Sequence, residues 1–300
     1  DWSSDVCSSD LYEQPDFPFE IPGGSPANVA LTLGRLGRPV ALATWFGADT
    51  LGRLIDFHMN DSGVYITPAS RGASHTSTAL ARLDENGAAS YTFDLEWAPT
   101  APIEVPETAQ IIEAGSISAI IEPGASAVLD ALAQGREHAL VFFDPNARPS
   151  IMGEPAVALV SLERFIALAD VVKVSDEDIE WLTGGVPIDK VVDRWLGMGP
   201  SLVVVTRGKH GSDVATASGV RFTKTPSDVK VVDTVGAGDS FMGGMIDAMW
   251  GMGLRGADAR ETLSALPEEQ VRAIIDRASA VSDVTVSRKG ANPPWAHELS

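Results

Sequence analysis

Cysteine is almost missing from this 300-residue sequence, in which Cys7 is the sole example. A single thiol excludes an intramolecular disulfide and any cysteine-based metal cluster. Basic residues are scarce too: 22 Lys and Arg stand against 41 Asp and Glu, a formal charge of −19. That balance opposes binding to nucleic acid or an anionic membrane and favours solubility. No apolar run approaches the roughly 20 residues of a membrane span, and no basic stretch followed by an apolar one opens the chain. The expectation is a cytoplasmic protein. No G-x-x-x-x-G-K-[ST] string occurs, which disfavours a Walker-type nucleotide site. What is present is a 44% hydrophobic content, enough to bury a large core in one α/β domain with a small appendage.

The most informative stretch is Val232-Asp233-Thr234-Val235-Gly236-Ala237-Gly238-Asp239-Ser240-Phe241. Apolar Val229 to Val232 read as a strand, and Phe241, Met242, Met245, Ile246 and Met249 recur at helical spacing from Asp239 onward. A helix N-terminus offers unpaired N–H groups and a positive dipole end, so the bare Gly236 and Gly238 let an anion approach the backbone. A carboxylate beside a bound phosphate is unfavourable unless it has a task. Taking the proton of an attacking hydroxyl is the one that fits Asp239. The other use of such a turn is plain helix packing. A dinucleotide fingerprint is disfavoured, because Phe241 stands where its third glycine belongs and the motif lies far from an N-terminal βαβ unit.

The second block is Pro22-Gly23-Gly24-Ser25-Pro26-Ala27-Asn28-Val29-Ala30, running on to Gly37. Pro26 suits a first helical turn, Val29, Leu33 and Leu36 form an apolar stripe, and Gly37 suits the stop. Asn28 is a poor helix former there; its amide suits either a polyhydroxy ligand or a local cap.

Between and after these blocks apolar runs alternate with helical patterns. Val40 to Trp45, Ile111 to Ile112, Ala139 to Phe143, Val171 to Val174 and Leu202 to Val205 read as buried strands. Leu51 to Asn60, Ala125 to Ala133, Pro155 to Ala167, Asp176 to Leu182 and Ile188 to Leu196 read as helices. Such alternation predicts a parallel sheet covered on both faces, with ligands at the carboxyl ends of its strands. Asp144, Ser175, Thr206 and Asp233 each follow an apolar run and are placed there. Thr76 to Leu83 and Ala89 to Leu95 flank Asp84-Glu85-Asn86-Gly87, a strong hairpin signal. Residues 1–10 show no periodicity and are rich in Ser and Asp; they are read as a doubtful, non-native segment.

The two glycine-containing blocks, in this order, resemble the two signature motifs of the ribokinase/fructokinase (PfkB-type) family of sugar kinases. The likeness extends from about Pro22 to Glu298. Asp144-Pro145-Asn146-Ala147-Arg148 resembles the family's Asp-Pro-Asn-x-Arg segment, and Val172 to Asp178 the segment carrying its Asn-x-x-Glu motif. Thr206 to Gly211 resembles its nucleotide loop, and Arg288 to Pro294 the C-terminal turn of its fructokinase-like members. In two places the chain departs from the pattern: Ser175 and Asp178 stand where Asn and Glu are usual.

The resemblance implies an α/β fold, a ribokinase-like three-layer sandwich with a mostly parallel central sheet and a small β-lid. Residues 11–300 would form a single kinase domain with lid strands at about 11–22 and 74–98. The implied chemistry is transfer of the ATP γ-phosphoryl group to a sugar hydroxyl, with Asp239 as base and Gly236, Ala237 and Gly238 as the anion loop. Gly23, Gly24, Asn28 and Arg148 would meet the sugar, with Phe93 and Trp97 either covering its apolar face or packing beneath the hairpin. For Arg148 the other reading is a structural ion pair. Lys173, Ser175, Thr206, Gly208, Gly211 and Asn292 would meet the nucleotide. Asp178, with Glu177 beside it, would reach Mg2+ through water, unless the two simply start a solvated helix, and Asp233 would lie near a monovalent cation such as K+. The partners expected are a small sugar and ATP, with a homodimer through the lid. Tyr91 to Glu96 lacks the arginine carried by relatives acting on 2-keto-3-deoxygluconate, so a neutral sugar is expected, fructose first. The alternatives are a 2-keto-3-deoxygluconate or nucleoside kinase of the same family, or a catalytically impaired sugar- or nucleotide-binding protein.

Overall fold

The computed structural model describes residues 9–14, 17–83 and 89–299. In chain order it runs through β1 (Ser9–Gln14), β2 (Phe17–Pro22), α1 (Ser25–Arg35), β3 (Val40–Leu42), α2 (Thr50–Asp61), β4 (Val64–Ile66), β5 (Thr78–Leu83) and β6 (Ala89–Asp94). There follow β7 (Ile111–Gly115), α3 (Gly124–Gly135), β8 (Leu140–Asp144), α4 (Pro149–Met152), α5 (Pro155–Ile166), β9 (Val171–Ser175), α6 (Asp176–Thr183) and α7 (Ile188–Leu196). The remainder is β10 (Leu202–Thr206), β11 (Ser212–Thr216), β12 (Arg221–Lys224), α8 (Ala237–Gly251), α9 (Ala259–Ser264) and α10 (Glu268–Val286).

The large sheet has the order β12-β11-β10-β9-β8-β7; β7 to β10 are parallel, and β11 and β12 return antiparallel. Its inner strands are apolar on both faces because both are covered. Val141, Phe143, Val172, Val174, Val203 and Val205 pack under α3, α5, α6 and α7, through Leu132, Leu162, Phe165, Ile179 and Trp195. The alternate residues Leu140, Phe142, Val171, Leu202 and Val204 pack under α1, α8 and α10, through Val29, Leu33, Met242, Met245, Ile274 and Ile275. The period-two alternation of the strands thus sorts side chains between two helical layers. β3 and β4 form a separate parallel pair beside α1 and α2.

Within the second layer α8 lies between α1 and α10. A Cβ on Gly243 would stand 2.6 Å from Thr32 of α1, and one on Gly244 would stand 2.7 Å from Ala278 of α10. These adjacent glycines allow both neighbours to close on α8.

A second, four-stranded sheet has the order β2-β1-β5-β6, with β1 and β5 parallel and the outer pairs antiparallel. Ser9 and Asp10 belong to its strand β1, opposite Pro22 and Ile21. Residues 1–8 and the hairpin tip Asp84-Glu85-Asn86-Gly87 lie outside the described residues.

Two expectations are corrected. Val229 to Val232 do not form a strand: the segment between β12 and α8 is irregular, and Val231 and Val232 are half exposed. Pro226 stands just after β12, and Val232 N–H is instead satisfied by Val286 O at 2.7 Å, so this segment follows the end of α10 and not a sheet edge. The run from Val40 to Trp45 is strand only to Leu42; Trp45 leaves the pair to enter the core, where its indole N–H donates to Glu96 at 3.1 Å.

Candidate active site

Gly236 adopts a left-handed conformation with φ +73°, where a Cβ would stand 2.7 Å from Ala291 Cβ. This turn starts α8 at Ala237 and puts Asp239 in the first helical turn, with only 3% of the residue exposed. First-turn N–H groups lack intrahelical acceptors and sit at the positive dipole end. A Cβ on Gly238 would stand 2.8 Å from Lys173 Nζ, so the glycine leaves the loop open to a buried ammonium. Bare loop, helix N-terminus and ammonium together fit a phosphate-sized anion.

Both Asp239 oxygens are held by residues distant in sequence. Ser25 Oγ donates to Oδ1 at 2.7 Å and Asn28 Nδ2 donates to Oδ2 at 2.8 Å, both from the start of α1. The order continues outward: Asn146 Nδ2 donates to Ser25 Oγ at 2.7 Å, and Arg148 Nη1 donates to Asn146 Oδ1 at 2.7 Å. One chain of hydrogen bonds therefore joins the loop after β8, the start of α1 and the start of α8. Asn146 holds a positive φ of 38°, within the range that Asn tolerates better than most residues. Burial pushes the Asp239 carboxyl above its usual range, while hydrogen bonds from Ser25 and Asn28, then the charges of Lys173 and Arg148, pull it down.

Beneath this chain lies a buried ion pair. Asp144 and Lys173 fall on the α1/α8 face of β8 and β9, and Lys173 Nζ stands 2.8 Å from Asp144 Oδ2. Burial pushes Asp144 up to about 6, with Lys173 opposing and Asp178 and Asp239 adding to the rise. Burial alone would lower Lys173, but Asp144 overrules it and raises the ammonium above its usual value. At neutral pH both partners are charged.

The nucleotide-side candidates occupy the neighbouring strand ends. Thr206 closes β10 with its hydroxyl on Val174 O at 3.3 Å. Gly208 and Gly211 frame a tight turn, and a Cβ on Gly211 would run into the backbone of Lys224. Ser175 caps α6: its Oγ accepts from Asp178 N at 3.0 Å while Asp178 Oδ2 accepts from Ser175 N at 3.2 Å, a reciprocal capping box. Asp178 Oδ1 accepts from Ala147 N at 3.0 Å, fastening α6 to the loop that carries Asn146 and Arg148. Glu177 is exposed beside it. Among the described residues, no three His, Cys, Asp or Glu side chains form a metal-holding group.

Asp233 and Asn292 build the C-terminal turn. Asp233 accepts from Val235 N at 3.1 Å and Gly290 N at 2.8 Å, and Asn292 Oδ1 accepts from Arg35 Nη1 at 2.6 Å. Gly23 and Gly24 are buried at the entry to α1. Phe93 is half-buried on β6, paired with Ala79 across the small sheet. Trp97 is a core residue: it is 6% exposed, packs over Gly124, and its indole N–H donates to Ser118 O at 3.2 Å.

Of the predicted residues, the structure brings together Asp239, the Gly236 to Gly238 loop, Asn28, Arg148 and Lys173. Sequence reading did not single out Ser25, Asn146 or Glu113 on β7, whose Oε1 is buried without a hydrogen-bond partner. The signal for Glu113 was a lone charge beside an apolar run, Ile111-Ile112-Glu113-Ala114; Lys173 interrupts Val171 to Val174 in the same way.

Residues 11–298 match the model of the pfkB family carbohydrate kinases. The chain belongs to that family. The kinase is 32% identical to probable fructokinase-4 of Arabidopsis thaliana over 98% of its own length and 90% of the relative's. It is 34% identical to a fructokinase of Rhizobium leguminosarum bv. trifolii over 76% of its length and 71% of the relative's. Its backbone is similar to the crystal structure of Vibrio cholerae O395 fructokinase in its fructose, ADP and calcium ion bound form. There the TM-score is 0.77 at 28% identity, over 97% of this chain and 93% of that one. Among the described residues no helix is long and apolar enough to cross a membrane.

Proposed function

We propose that this carbohydrate kinase phosphorylates fructose with ATP and a divalent cation. The observation that carries the chemistry is Asp239, buried at the mouth of an anion-accepting helix with both oxygens oriented by α1. The choice of fructose rests on the relatives that bear that name and on the V. cholerae structure that holds it.

When bound, MgATP supplies a γ-phosphorus that a hydroxyl oxygen can attack. Asp239 accepts the hydroxyl proton late, as the new P–O bond forms, so the alcohol is never a free alkoxide. The first-turn N–H groups at Gly238 and Asp239 face the charge that grows on the transferred oxygens. Lys173, anchored by Asp144, supplies positive charge behind Gly238. Ser25 and Asn28 hold Asp239 ionised and aimed, which makes Asn28 a positioning residue as well as a sugar contact. Mg2+ keeps most of its waters, so it needs phosphate oxygens and little protein. Asp178 and Glu177 would meet it through water, because both Asp178 oxygens already accept from backbone N–H groups.

Coupled ADP release, measured with fructose, ribose, 2-keto-3-deoxygluconate and adenosine, tests the reading. Fructose should give the highest kcat/KM. A higher value for one of the other three would move the assignment within the family, and release with none would favour an impaired binding protein.

A further inference from the structure

One buried carboxyl beside the site has no role in the chemistry above. Glu113 lies on β7, two residues before Gly115 on the same face, opposite Phe142 of β8. Phe142 belongs to the α1/α8 face, as do Asp144 and Lys173, so the strand alternation puts Glu113 on the side of the sheet that carries Asp239. Its Oε1 is shut off from solvent and has no hydrogen-bond partner among the described residues. An unsatisfied buried carboxyl oxygen is costly in a folded protein and marks a place where a polar group is missing.

We propose that Glu113 is a sugar-contacting residue that meets a hydroxyl of the acceptor with this unpartnered carboxyl. The inference rests on the sugar-kinase reading and names a residue that determines its specificity. Among the described residues the charged groups acting on Glu113 are Asp144 from β8, Lys173 from β9 and Asp239 from α8; α1 carries its only charge, Arg35, in its last turn, far from Ser25 and Asn28. Burial, then Asp144 and Asp239, push the Glu113 carboxyl well above the usual range, and Lys173 opposes them. These effects favour the protonated form of Glu113, which offers both an O–H donor and a carbonyl acceptor. A sugar hydroxyl complements that pair.

The test is steady-state kinetics of the full chain with fructose and ATP. Glu113→Leu should raise the fructose KM about tenfold, the size of one lost buried hydrogen bond, and leave the ATP KM within about twofold. In the wild type the fructose KM should rise toward alkaline pH as Glu113 loses its proton. Glu113→Gln, which always offers a donor and an acceptor, should keep the fructose KM of the protonated wild type and abolish that rise. If Glu113→Leu changes neither KM, or both equally, the inference is overturned. It falls equally if Glu113→Gln keeps the wild-type alkaline rise. Isothermal titration of fructose alone covers a Leu variant too slow to assay: binding as tight as wild type also overturns it. Failure of the kinase reading looks different, since the wild type would then turn over no sugar.

Discussion

Asp239 and Asp178 each stand in the first turn of a helix, and the structure treats them in opposite ways. Asp239 is held by Ser25 and Asn28, 214 and 211 residues away, and is almost wholly buried. Asp178 is half-buried and accepts only from backbone N–H groups, of Ser175 three residues back and of Ala147 at a separation of 31. Side chains from another element can be exchanged or displaced by a substrate. Backbone amides that define a helix start and a loop cannot be, without loosening both. The first arrangement suits a group that must change partners during a reaction, and the second suits a strut.

The largest effect that would break this contrast is on turnover. Asp239→Asn keeps the shape but cannot take a proton, and kcat should fall about a hundredfold to ten-thousandfold with ATP binding, read by titration, nearly unchanged. Near wild-type turnover would remove Asp239 from the role of base.

A smaller effect sharpens the same side. Ser25→Ala deletes one of the donors that pull the Asp239 carboxyl down, so its pKa must rise further. Because the base works only when ionised, the acid limb of the kcat/KM profile should move to higher pH. A profile that stays in place would show that Ser25 does not set the charge of Asp239.

The smallest effect belongs to the strut. Asp178→Ala breaks the capping box and the tie to Ala147, which should cost about 1 kcal/mol and lower Tm by about 2 °C. The Mg2+ concentration for half-maximal rate should change less than about threefold if outer-sphere contact is all Asp178 provides. An unchanged Tm with a large rise in that concentration would turn the strut into a metal ligand.

The sequence was legible wherever chemistry and local pattern coincide. The Gly236 to Asp239 turn, the Pro26 helix start and the strand runs around Val141, Val172 and Val203 each carry their instruction within a few residues. The misreadings depend on what lies on top. Val229 to Val232 have strand composition but are left half exposed beside α10. Of the two readings open for Trp97 the structure shows packing, because Gly124 makes room for it. The site was legible in its motifs and not in its wiring. Ser25 and Asn146 lie 121 residues apart, and only folding sets Asn146 Nδ2 2.7 Å from Ser25 Oγ. Hydrogen bonds that span more than a hundred residues leave no periodic trace in a chain.

The glycine pair of α8 bears on how such an enzyme fails when heated. α8 is buried from Asp239 through Asp247, with α1 and α10 seated directly on Gly243 and Gly244. Amides in such a helix exchange hydrogen only when the whole domain opens. The base is therefore fixed to a buried, closely packed helix and not to the end of a loop. Heat inactivation of the base and global unfolding become a single event.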